Sequence, residues 1–147
     1  MTELHARGRW APGFVTALSD GRGHEVRVDL TAEEGGTDAG TSALELSVLS
    51  LAGCITTIFA LVARRRRLAF SGLEVELDAS RPKGTPTITA VRGTVDVVAA
   101  ASEEDVATVL RITLRTCPVG VLFEKAGIPV EVRLRLRPPG APPPEPS

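Results

Sequence analysis

Tyrosine is absent from this chain, and one tryptophan and four phenylalanines bring the aromatics to only 3% of 147 residues. Surfaces that stack exposed bases are built from aromatic rings, so a single-strand nucleic-acid platform is a poor match. Neither sign of charge is in excess. Seventeen basic residues against eighteen acidic leave a net charge of −1, so no overall field draws the chain toward nucleic acid or an anionic membrane. Histidine occurs only at His5 and His24, and neither has a second histidine or a cysteine at ligand spacing. No zinc or other metal centre is expected. The opening stretch, MTELHARGRW, lacks the apolar core of a secretion signal, which makes the cytoplasm the expected compartment. Cysteine is scarce too. There are two, Cys54 and Cys117, and in a reducing compartment such residues are more often reactive than structural.

What the chain does have is one long apolar run. From Leu46 to Ala63 no residue is charged, and then Arg64, Arg65, Arg66 and Arg67 follow in a row. Ser42 can cap the start of a helix, Glu45 three residues on completes a capping box, and the arginines suit the negative end of the dipole. The pattern predicts one helix over Ser42–Leu68, apolar on nearly every side, which must be covered from all directions. At ~100° per residue, Ser47, Ser50, Cys54 and Thr57 share one arc. The run passes the length test for a membrane span. Glu45, Ser47, Ser50, Thr56 and Thr57 suit a span badly, so a core helix and no membrane insertion are expected.

The rest of the chain alternates. Phe14–Leu18 reads as a short strand, Ser19–Gly23 as a turn, and His24–Leu30 as a strand with Val26, Val28 and Leu30 facing inward against Glu25, Arg27 and Asp29. Thr31–Thr41 is polar and glycine-rich but carries neither of the phosphate-binding glycine patterns, so a flexible connector is expected. Leu73–Asp78 and Ile88–Val98 read as a hairpin with one charged face. Ser102 followed by Glu103, Glu104 and Asp105 marks a second helix start. Pro118 must break that helix near Cys117 and can open a new one. Cys117 then stands at an N-cap, where free amides and the dipole favour a thiolate. Ile128–Leu136 is a last strand. The expected organisation is one α+β domain over 1–137 and a disordered proline-rich tail over 138–147.

Three stretches resemble the OsmC/Ohr family of thiol-dependent peroxidases, in its OsmC-like branch. They are GHEVRVDLTAEEGGTDAGTSALELSVLSLAGC, LAFSGLEVELDASR and ITLRTCPVGVLFEKAGIPVEVRL. The likeness spans roughly residues 8–137. It implies antiparallel sheets wrapped around long central helices in an intertwined homodimer, with the cysteines near the subunit interface. It also implies a peroxidase of organic or lipid hydroperoxides. Cys54 would attack the peroxide, and Cys117 would resolve the sulfenic acid to a disulfide that an external dithiol reduces, with no cofactor. The alternative is a non-catalytic OsmC-like dimer that binds an apolar small molecule or senses thiol redox state. The family's active-site acid maps onto Glu45, nine residues before Cys54, which a regular helix would turn away from the sulfur. The arginine that holds the attacking cysteine as thiolate has no sure match; Arg9 and Arg27 are candidates by location. The chemistry requires that Cys54 and Cys117, 63 positions apart in sequence, meet in space.

Overall fold

The computed structural model describes residues 2–140 and 142; Met1, Ala141 and 143–147, with most of the expected disordered tail, lie outside the described residues. Its elements, in order, are β1 (Arg7–Trp10), β2 (Thr16–Ser19), β3 (Glu25–Val28), α1 (Ala43–Arg65), β4 (Gly72–Ser80), β5 (Ala90–Val98), α2 (Glu103–Thr116), α3 (Pro118–Lys125) and β6 (Val130–Arg137). The strands form two three-stranded sheets, β1-β2-β3 and β4-β5-β6. The class is α+β, as expected. The chain divides into two compact units, Met1–Leu49 and Ser50–Ser147.

The first unit is an antiparallel meander in which Arg9, Ala17 and Arg27 stand in one row across the sheet. Asp20 shapes the β2–β3 turn by accepting from the backbone N–H of Arg22 and of His24, at 2.8 and 3.2 Å. Strand β3 stops at Val28, two residues short of the alternation. Asp29, expected on the wet face, is only 3% exposed. Past Val28 the backbone leaves the meander and pairs with Thr41 instead, which turns Asp29 into the glycine-rich loop. There its carboxylate accepts from the N–H of Leu30, Thr37 and Ala39 and from the hydroxyl of Thr37, at 2.6–3.0 Å.

That loop was expected as a flexible connector, and its geometry is different. Besides the Asp29 contacts, Gly36 lies so close to Leu30 that a Cβ would fall 2.1 Å from its carbonyl oxygen. Thr31 and Glu34 make a reciprocal cap on the short turn between them. Glycine here serves close approach of backbone to backbone rather than freedom.

In the second unit β4 and β5 form the expected antiparallel hairpin, whereas β5 and β6 are parallel. This corrects the expectation of purely antiparallel sheets. Two helices separate β5 from β6, and a crossover of that length can return the chain in the same direction. One face of the sheet carries rows such as Val75, Val95 and Leu134; the other carries Glu74, Asp96 and Arg135. Gly93 on central β5 is obligatory, since a Cβ would sit 1.9 Å from the carbonyl oxygen of Glu76. Arg137 pairs with Asp96 at 3.2 Å on the charged face.

Helix α1 begins as the sequence predicts, with Ser42 accepting from Glu45 N–H and the Glu45 carboxylate accepting from Ser42 N–H. It is long and apolar enough to cross a membrane by length and composition alone. Leu51, Ile55, Phe59 and Val62 recur at helical spacing and are buried in the fold. Its end is closed by a bond from Leu68 N–H to Ala63 carbonyl, with Arg67 at φ 56°, a left-handed position that usually holds glycine. Ser50, Gly53, Thr57 and Ala60 remain exposed along another face. Helix α2 is capped by Ser102, which accepts from Asp105 N–H at 3.1 Å, and it meets α3 at a 61° bend.

Candidate active site at the Cys54–Cys117 pair

Cys54 lies midway along α1 on the arc shared with Ser50 and Thr57, and it is half-buried. Cys117 occupies the bend between α2 and α3. Its backbone is extended, at φ −63° and ψ 113°, as a residue before proline prefers. Its N–H still closes α2 on the Thr113 carbonyl, at 2.8 Å. Pro118 takes the first position of α3, where no N–H is needed. The Cys117 sulfur in turn accepts from Gly120 N–H at 3.4 Å and so caps α3. One residue ends one helix, starts the next and is 0% exposed.

The two sulfurs are neighbours. Burial is the chief cause that pushes the Cys117 thiol above its ordinary pKa, and hydrogen bonding with the Cys54 side chain is the next. The Gly120 amide works in the opposite direction and is outweighed. This corrects the expectation that a helix start would make Cys117 a thiolate. Taking a charge out of water costs more than one long N–H···S contact returns. Both cysteines are free thiols. A buried thiol beside a more accessible one can pass between a reduced pair and a disulfide.

Glu45, Arg9 and Arg27, also singled out in the sequence, belong to the first unit. The Glu45 carboxylate accepts from Ser42 N–H at 2.7 Å and from the Thr41 hydroxyl at 3.1 Å. These bonds, that of the Ser42 backbone foremost, hold it below the usual carboxylate range. Its geometry is that of a helix cap. Arg9 and Arg27 are exposed on the outer strands of the first sheet.

Residues that the sequence did not suggest come forward instead. A cavity of about 480 Å³ adjoins Cys117, with Leu51, Ile55, Leu114 and Val130 in its wall and Arg115 and Glu124 as its charged members. Arg115 is two positions from Cys117, but nothing in the pattern of α2 told that it lines a space. A larger cavity, about 760 Å³, lies between the end of α1 and the start of α2 beside Arg66, Arg67 and Phe70, and it includes neither cysteine. The smaller one has the relevant chemistry. Among the described residues no three His, Cys, Asp or Glu side chains gather as a metal-binding group.

A family model described as OsmC-like protein matches residues 35–133, two thirds of the chain. This chain belongs to the OsmC-like family. The matched span runs from the glycine-rich loop into β6 and takes in both cysteines. Among solved structures, the OsmC-like protein of Mycoplasma pneumoniae superposes with a TM-score of 0.83 at 14% identity, covering 92% of this chain and 97% of that one. An organic hydroperoxide resistance protein of Elizabethkingia anophelis gives 0.73 at 13% identity, covering 93% and 98%. The OsmC organic hydroperoxide resistance protein of Legionella pneumophila gives 0.70 at 13% identity, covering 91% and 97%. Identities this low establish the shared OsmC-like fold. No curated protein matches the chain in sequence.

Proposed function

We propose that this OsmC-like protein is a cysteine peroxidase that reduces organic or lipid hydroperoxides through a Cys54–Cys117 sulfenic acid and disulfide cycle. The observation that carries the reading is the adjacency of two thiols that stand 63 positions apart in sequence. Cys54, the more exposed of the two, attacks the peroxide; the S–O bond forms as the O–O bond breaks. Cys117 then captures the sulfenic acid before further oxidation. An external dithiol returns the disulfide to the thiols, and no cofactor takes part. Two structural neighbours bear the name organic hydroperoxide resistance protein, which supports this substrate class.

The working form in this reading is a cytoplasmic homodimer with α1 central. The exposed face of α1 carries small side chains at Ser50, Gly53, Thr57 and Ala60, with Leu49 56% exposed beside them, which suits the approach of a second helix. The first sheet adds bare apolar surface, with Trp10 69% and Val26 44% exposed on one face. Both features suit a symmetric partner.

A second reading is a non-catalytic OsmC-like dimer that senses redox state or binds an apolar small molecule. It draws on Glu45, whose carboxylate is occupied by the cap, and on the apolar wall of the cavity beside Cys117. Turnover separates the two. Wild type supplied with cumene hydroperoxide and dithiothreitol is expected to consume thiol catalytically, and Cys54→Ser to abolish this. Peroxide-independent thiol loss, or a rate indifferent to the substitution, would favour the sensor.

A further inference from the structure

The Gly120 amide already points at the Cys117 sulfur, at 3.4 Å. One lone pair of that sulfur is therefore occupied, and its single hydrogen is free for another acceptor. The acceptor at hand is Cys54, with which Cys117 hydrogen-bonds. Cys117 is fully buried whereas Cys54 is not. Burial disfavours a charge on Cys117, which keeps its proton available to a neighbour. Among the described residues, the titratable groups around Cys117 are Cys54 on α1, Arg115 on α2 and Glu124 on α3, with apolar Val130 from β6.

From this arrangement we infer that Cys117 acts before it resolves anything: its thiol is the proton donor in the cleavage of the peroxide by Cys54. The inference rests on the peroxidase reading above. Before peroxide arrives the Cys117 S–H donates to the Cys54 sulfur, which reacts as its thiolate. As Cys54 attacks the terminal oxygen of ROOH, the S–O bond forms, the O–O bond breaks, and the Cys117 proton passes to the departing oxygen in the same step, giving ROH and a Cys117 thiolate. That thiolate attacks the Cys54 sulfenic sulfur, forms the disulfide and expels hydroxide. Sulfur is oxidised, peroxide is reduced, and one negative charge is present at each stage. The raised pKa of Cys117 suits this order, because the resolving thiolate arises only after peroxide has reacted.

The test compares wild type with Cys117→Ala and Cys117→Ser in the full chain, reduced, in a single turnover with cumene hydroperoxide. Cys54 sulfenic acid and its disulfide are followed by dimedone trapping and mass spectrometry between pH 5 and 10. Both variants lose the disulfide, so resolution drops out of the comparison. Cys117→Ala is expected to slow oxidation of Cys54 about a hundredfold, the lower end of what a placed general acid contributes. Cys117→Ser, which keeps a donor, should recover most of that rate. In wild type, deuterium oxide should slow the same step. Equal rates in Cys117→Ala and wild type overturn the inference while leaving the peroxidase reading intact. A wild-type rate unchanged in deuterium oxide overturns it too, and needs no variant to fold. Absence of any peroxide-dependent change at Cys54 in wild type overturns both.

Discussion

At the scale of single residues, Asp29 and Gly93 matter more than the sequence pattern disclosed. The Thr37 hydroxyl and the amides of Ala39, Leu30 and Thr37 stabilise the Asp29 carboxylate and lower its pKa from 3.8 to about 2. Its folded pKa lies below the unfolded value, so the contribution to stability is complete above about pH 4 and is lost as pH falls through about 2. Asp29→Asn should lower the urea midpoint at pH 7 and flatten its decline between pH 4 and 2; an unchanged acid limb would refute this. Gly93→Ala forces a methyl against the Glu76 carbonyl on the central strand. Overpacking of this kind should cost about 1–3 kcal/mol in denaturant unfolding. Alternation alone misplaced Asp29, because periodicity says which side a strand residue faces but not where the strand ends. It is equally blind to Gly93, since closeness of a neighbouring backbone leaves no mark in a residue's own stretch of sequence.

At the scale of elements, the chain announced its helix ends through side-chain chemistry. Ser42 with Glu45, Ser102 with Asp105, and Pro118 after Cys117 all do in the structure what their residue types suggest. Each works through neighbours three or four positions away, which is why sequence sufficed. The parallel pairing of β5 with β6 is a relation across about thirty residues, and a strand's pattern carries no sign of direction. The protonation of Cys117 is hidden for a related reason. The cap is local and legible, whereas the burial that outweighs it comes from the whole unit. One end departs from custom. Arg67 holds the left-handed position that closes α1, so Arg67→Gly should stabilise the protein by about 0.5–1 kcal/mol, read as a rise in thermal midpoint. A fall would mean that the arginine side chain makes up for its backbone.

At the scale of the whole molecule, the exposed face of α1 is the main issue. Gly53 has no atom within 4 Å of the place a Cβ would occupy, so one chain has ample room there. Under the dimer reading that room belongs to a second subunit. Gly53→Trp should keep the far-ultraviolet dichroism of the wild type yet sediment as a single 15.5 kDa chain rather than as twice that mass. If wild type already sediments as one chain, the dimer reading is wrong. Here too the sequence was partly legible. An all-round apolar helix demanded cover and the arc of Ser50, Cys54 and Thr57 was visible in its spacing, but which side stays bare emerged only once Leu51, Ile55 and Phe59 were seen to be buried.

Because the sulfur of Cys117 is also the first anchor of α3, oxidation and helix fraying are tied together. A bond to Cys54 reorients the lone pairs that hold the Gly120 amide. The opening turn of α3 should then exchange its amide hydrogens faster in the oxidised protein than in the reduced one. Exchange at Gly120 thus becomes a gauge of thiol state, readable without any peroxide or colour reagent.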